Sequence, residues 1–229
     1  MRRAKKDFYA FPVEVLGQLG LTTTGELYGF DAMLETALRY AIYRTYMNYC
    51  HGNPAEFDSE AFAATVAALG LGDDTTPAAI EWARDTFNNY RDSKVITSIS
   101  RRLFWEIQAN AEARGDFYMM QAAAALALRS ILGAFSPKVA KGVTWDFMLS
   151  RMAGKAKKVK KYPKHVKRYA TRKMRLKLIK ALCEYWGFEY YAPRGTRVPL
   201  FGWGMTADEL AEYAKQQHPA KRKKQGTSI

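Results

Sequence analysis

From Asp31 onward, apolar side chains recur three and four positions apart: Met33/Leu34, Ala37/Leu38, Ala41/Ile42, then Thr45 and Tyr49. That spacing places them on one side of a helix and predicts a core helix over 31–49, with Asp31 in the capping position. HGNP at 51–54 ends it, because glycine and proline break a helix and Asn53 precedes the proline in an extended conformation. A second helix is expected over 59–70, capped by Ser59 and stopped by Gly70. A third, over 76–90, has Thr76 as cap and Pro77 at its first position, where a missing N–H costs nothing. Residues 100–115 and 116–135 read as a helical pair broken at Gly115. The second member is apolar around most of its circumference and so belongs at the centre. Upstream, DFYAFPVEVL reads as an edge strand, and RDSKVITSIS as a short strand or loop.

The pattern shortens beyond Pro137. VTWDFMLSRMAG (143–154) is a helix capped by Thr144 and ended by Gly154, and ATRKMRLKLIKALCEYWG (170–187) is the most strongly patterned helix of this half. FEYYAPRGTRVPLFGW (188–203) gives two strands around PRGT, with Pro199 demoting the second to a sheet edge. A last helix spans 205–217, and HPAKRKKQGTSI is a basic tail expected to be disordered. Internal repeats and low-complexity linkers are lacking, so charge alone suggests a division: a helical domain over 1–115, a basic domain with a small β-hairpin over 116–217, and the tail over 218–229.

Charge changes the picture most. Residues 1–136 carry 13 basic and 16 acidic side chains, net −3, whereas residues 137–229 carry 23 and 6, net +17; together they make the formal +14. The second part is built to meet a polyanion, and the first to pack or to pair with protein, whether a second copy of the chain or another partner. With 48% hydrophobic and 14% aromatic residues among 229, the chain is expected to fold. It has no apolar run of membrane-spanning length, and Asp7, Pro12, Glu14 and Gln18 interrupt what a signal peptide would keep apolar. A cytoplasmic protein with no membrane partner is expected. Cys50 and Cys183 belong to no metal-ligand spacing and read as free thiols, so no structural zinc and no cofactor are implied.

Between Lys155 and Lys180, 13 of 26 residues are lysine or arginine and none is acidic. On a helical wheel, Met174, Leu176, Leu178, Ile179, Leu182, Cys183, Tyr185 and Trp186 cover a broad apolar arc, and Lys173, Lys177 and Lys180 line the opposite stripe. A solvated surface, a localisation signal and contact with anionic lipid are the rival readings of such a run, and a disordered arm has no need of that arc. Arg172 and Arg175 fall in the first turn, where a cation opposes the helix dipole unless an anion binds there.

From residue 121 the order is helix, helix, basic linker, amphipathic basic helix and two-strand hairpin. This order resembles the winged helix-turn-helix superfamily over about residues 121–203. The resemblance implies that Arg172, Lys173, Arg175, Lys177 and Lys180 lie on a helix that enters the major groove, and that Arg194 and Arg197 sit on a wing touching the adjacent backbone. The connection of about 16 residues before that helix exceeds the short turn of a simple helix-turn-helix. In it, Lys155, Lys157, Lys158, Lys160, Lys161, Lys164, Lys167 and Arg168 are candidates for a phosphate track. Lysine dominance points to salt-sensitive backbone binding with limited base reading, any specificity coming from the arginines or from DNA shape. Duplex DNA is the favoured partner. RNA or single strands are the alternative, because Tyr162, Tyr169, Tyr190 and Tyr191 interleave with the charge and rings stack on unpaired bases.

Signals of catalysis are weak. Nucleotide-binding, hydrolase and zinc-enzyme motifs are missing, and Asp73-Asp74 sits in a turn where capping explains both carboxylates. His165-Val-Lys-Arg168 with Trp203 and Tyr213 resembles the HxxR, Trp and Tyr set of tyrosine recombinases, but that motif lies in an apolar helix there and in a basic run here. Trp82, Trp105 and Trp145 are expected on core faces. The expectation is a mainly α protein with a winged-helix-like second domain and a non-catalytic nucleic-acid-binding role, such as a replication accessory or regulator of a phage or mobile element. The alternative from a different class is an interaction module or inhibitor acting on a nucleic-acid machine.

Overall fold

Side-chain caps fix where most helices begin. Thr76 Oγ1 accepts from the Ala79 N–H at 3.3 Å, Ser100 Oγ from Leu103 at 3.3 Å, and the Thr144 and Thr171 hydroxyls from Phe147 and Met174 at 3.4 Å each. Each satisfies an N–H that the first turn leaves without a partner. The computed structural model describes residues 7–50, 57–71, 75–192 and 198–217. In order, the elements are β1 (Phe8–Pro12), a 3-10 turn (Val13–Gln18), β2 (Gly20–Leu21), β3 (Leu27–Tyr28), α1 (Phe30–Tyr49), α2 (Ser59–Ala68), α3 (Pro77–Asn89), β4 (Ile96–Ser100) and α4 (Arg101–Leu132). They continue with β5 (Val139–Gly142), α5 (Trp145–Met152), α6 (Lys164–Lys167), a 3-10 turn (Arg168–Ala170), α7 (Arg172–Tyr185), β6 (Phe188–Tyr191), β7 (Leu200–Trp203) and α8 (Ala207–Gln217). The protein is mainly helical with small antiparallel sheets.

Several boundaries differ from expectation for identifiable reasons. Gly29, in the left-handed region at φ 81°, caps α1, so Asp31 falls in the first turn, where its charge complements the helix dipole. Asp58, not Ser59, caps α2, its carboxylate accepting from Ala61 at 2.9 Å. The strand over Ile96–Ser100 pairs with β1, with Tyr9 opposite Ile99. α4 breaks at Gly115, whose φ of 69° and ψ of −172° interrupt the helical backbone as its position in the pattern implied. β7 is the central strand of a three-stranded sheet, β5-β7-β6, and not an edge. Pro199 lies just before β7 and contributes only its carbonyl, which accepts from Val143 at 2.9 Å, so its missing N–H costs the ladder nothing.

The second arm of α4 is central: Met120 through Arg129 are all buried. One contiguous cluster of buried side chains joins Tyr9, Phe11 and Leu16 to α1, α4, α5 and α7 and reaches Phe188 and Phe201. A smaller cluster of Ala140, Leu200, Leu210 and Ala214 seats α8 on the C-terminal sheet. Trp82 and Trp105 are 47% and 41% exposed, contrary to the expected core placement. The Arg39 guanidinium covers the Trp82 ring at 4.8 Å, and Trp105 packs edge-on to Phe104 at 5.2 Å.

Candidate nucleic-acid interface

α7 is anchored on one side and cationic on the other. Leu178, Ile179, Ala181 and Leu182 are buried, and Trp186, which caps the helix, donates from Nε1 to Gln121 Oε1 at 3.1 Å. On the outer side Arg172, Lys173, Lys177 and Lys180 are exposed, and Arg175 is half-buried. Leu176 and Tyr185 depart from the predicted arc, at 51% and 73% exposed. At 100° per residue Leu176 falls at the edge of that arc, next to the lysine stripe. Lys177 is not free either: its ammonium lies 4.2 Å from the Phe117 ring centroid, a cation–π contact. Lys180 pairs with Glu184 one turn on, at 3.5 Å.

The connection from Gly154 to Pro163 has little regular structure, yet hydrogen bonds tie it to α5. The Lys155 N–H donates to Ser150 O at 2.9 Å, Val159 N–H to Ser150 Oγ at 3.0 Å, and Tyr162 OH to Asp146 O at 3.2 Å. Lys158 Nζ meets Asp146 Oδ2 at 2.9 Å, and this hydrogen bond raises the lysine pKa. The run is therefore a positioned surface and not a loose arm. Lys155, Lys157, Lys160, Lys161, Lys164 and Lys167 are exposed and form no ion pair with a described carboxylate.

Arg168 and His165 belong to the framework. Arg168 is half-buried, 4.0 Å from Asp116, with its guanidinium 5.3 Å from the Tyr169 ring centroid. Asp116 Oδ2 also accepts from the Leu27 N–H at 2.9 Å, which ties the break in α4 to β3 and to the basic segment. Trp145 Nε1 donates to the carbonyl of buried Tyr169 at 3.0 Å. His165 is 2% exposed with Nε2 unpaired among the described residues; burial, with the nearby Arg168 charge, pulls its pKa down to about 4. It is a neutral core histidine at ordinary pH.

Comparison with family models, curated proteins and solved structures finds no match. The site thus rests on its own geometry. Arg194, Arg197 and the Asp73-Asp74 pair lie outside the described residues. Among the described residues, no group of three or more His, Cys, Asp or Glu is placed to hold a metal ion. Trp203 of the HxxR constellation packs on Phe188 at 4.9 Å and beneath Arg129 at 4.4 Å. α8, which carries Tyr213, packs on β6 and β7, while α6, which carries His165, packs on α5 and β2. The tyrosines that interleave with the charge are engaged as well: Tyr169 is buried, Tyr162 is held by Asp146, and Tyr190 meets Phe201 edge-on at 5.1 Å. Sequence reasoning missed the Asp146 and Phe117 contacts. Asp146 is the sole acid between residues 137 and 183, and was the available signal for an intramolecular partner of the run.

Proposed function

We propose that this protein is a non-catalytic nucleic-acid-binding protein that holds duplex DNA on the surface formed by residues 155–180. The observation that carries the reading is the fixed cationic surface: Lys155, Lys157, Lys160, Lys161, Lys164, Lys167, Arg172 and Lys173 are exposed, without described acidic partners, on a segment held against α5 and α7. Cations held in place and left without counter-charge repel one another, and a polyphosphate relieves that repulsion with release of its counterions. Duplex is favoured over single strands because Tyr169 is buried, Tyr162 is tied to Asp146 and Tyr190 packs on Phe201, which leaves Tyr185 at the end of α7 as the widely exposed ring. The winged-helix resemblance is the reading that assigns Arg172, Lys173 and Lys180 to the major groove; the chain from α4 onward runs β5, α5, α6, α7 and the β6–β7 pair.

Fluorescence anisotropy with duplex DNA, single-stranded DNA and structured RNA, each across a salt series, tests the proposal. Duplex is expected to bind tightest, with affinity falling steeply with salt. The combined Lys155→Ala, Lys157→Ala, Lys160→Ala and Lys161→Ala variant should bind more weakly on every duplex sequence. Its log–log salt slope should be flatter by about one for each phosphate that the variant no longer neutralises. Weak binding to all three nucleic acids at physiological salt would overturn the reading.

A further inference from the structure

A cleft of about 60 Å3 opens between β4 and the β6–β7 pair. Phe8, Ile99, Leu103, Trp186, Phe188 and Trp203 wall it, and Arg129 enters it from α4. Arg129 is 7% exposed, and burial lowers its pKa to about 10. Its Nη2 donates to Ala134 O at 2.7 Å and its Nη1 to Ser136 O at 3.4 Å, while the guanidinium carbon lies 4.4 Å from the Trp203 ring centroid. No described carboxylate is within ion-pair distance of it. A guanidinium has five donors, and two carbonyls and a ring leave its charge without a counter-ion in apolar surroundings, an arrangement that costs stability. Phe8, one of the walls, is 38% exposed, and Arg129 and Ser98 share the Ala134 carbonyl.

We propose that this cleft docks an acidic segment of a partner protein, one aliphatic side chain filling the apolar space and a neighbouring carboxylate pairing with Arg129. Its size favours this occupant: sites for drug-sized molecules run to about 300–1,000 Å3, whereas this one accommodates a single aliphatic side chain. Charge favours it too, since a protein of formal charge +14 attracts acidic chains, and Arg129 supplies a buried cation at the point of contact. Phe8, Leu103 and Phe188 provide the apolar surround that excludes water from such a pair. Trp186 and Phe188 lie where α7 ends and β6 begins, on the buried side, so the docking surface uses none of the lysines of residues 155–180. The proposal stands independently of the nucleic-acid reading.

The test follows the indole N–H signals of Trp186 and Trp203 in 15N-labelled full-length protein, identified with Trp186→Phe and Trp203→Phe. The probes are an end-capped Glu-Leu-Asp-Glu peptide, its Lys-Leu-Lys-Lys counterpart, and Glu-Gly-Asp-Glu, which lacks the aliphatic anchor. Saturable shifts with the first peptide, and binding weaker by about tenfold or more with the other two, are expected. Arg129→Met should reduce affinity for the first peptide by about tenfold as well. If that variant does not fold, the three peptides on the unaltered protein still decide the matter. Unmoved signals at millimolar peptide, or equal shifts with the basic peptide, would overturn the proposal. Shifts caused by thymidine monophosphate and not by the acidic peptide would also overturn it, and would assign the cleft to nucleic acid.

Discussion

Gly154 shows how one backbone position sets the course of the basic segment. It has a φ of +68°, and a Cβ there would lie 2.4 Å from Gly17 N and 2.8 Å from Glu14 O. Both obstacles are backbone, so neither can swing aside. Gly154→Ala therefore combines left-handed strain with displacement of the 3-10 turn, and an unfolding loss of at least about 2 kcal/mol is expected. Urea unfolding should show a lower midpoint at unchanged slope. His165 gives the second residue-scale prediction. Its folded pKa is about 4, below the ordinary 6.5, so the unfolded chain takes up the proton first as pH falls. Its contribution is complete above pH 6.5 and is lost as pH drops toward 4, by up to about 3 kcal/mol, the free energy equivalent of the shift. Denaturation midpoints measured across that window should fall more steeply for the native protein than for His165→Gln, which has no proton to gain. Equal slopes would remove His165 as the cause.

At the scale of elements, the capping prediction is the most direct. Thr171 links the basic run to α7 through its hydroxyl on Met174 N–H, so Thr171→Ala should cost about 1 kcal/mol. Thr171→Ser should recover most of it, as thermal unfolding would show. Thr76 and Thr144 were legible as caps in the sequence, because a hydroxyl before an apolar-periodic run has a local job; Thr171 was not, since the helix expected over 170–187 took it inside. The hairpin strands β6 and β7 were legible for a similar reason, lying either side of a turn signal. β5 was not: VAKG has four residues and no alternation, and becomes a strand only because β7 offers it a ladder. The rank of β7 was misread because a proline warning was applied to the strand when it belongs to the residue before it. Within the candidate site, the cations and the buried middle of α7 could be read from the chain. The partners of Lys158, Lys177 and Arg168 could not, since Asp146, Phe117 and Asp116 reach them through tertiary packing that periodicity does not encode.

At the scale of the whole molecule, charge and cooperativity meet. The buried cluster runs without interruption from Tyr9 to Phe201, and α4 contacts both the N-terminal strands and α5, α7 and β7. Removing either side would expose apolar surface on the other, so a single calorimetric transition is expected, with matching calorimetric and van't Hoff enthalpies. Salt should raise the Tm of the free protein and shrink the gain that DNA adds to it. Alone, the net +17 of residues 137–229 repels itself, and screening that repulsion should raise Tm between about 50 and about 200 mM salt. With duplex DNA present, the extra stability is set by ligand concentration over Kd, and Kd rises with salt, so the Tm gain from DNA should shrink over the same range. Two melting curves at each of two salt concentrations measure both trends. A free-protein Tm that falls with salt would mean that the cations are already balanced within the fold, and would remove the reason for expecting a polyanion on that face.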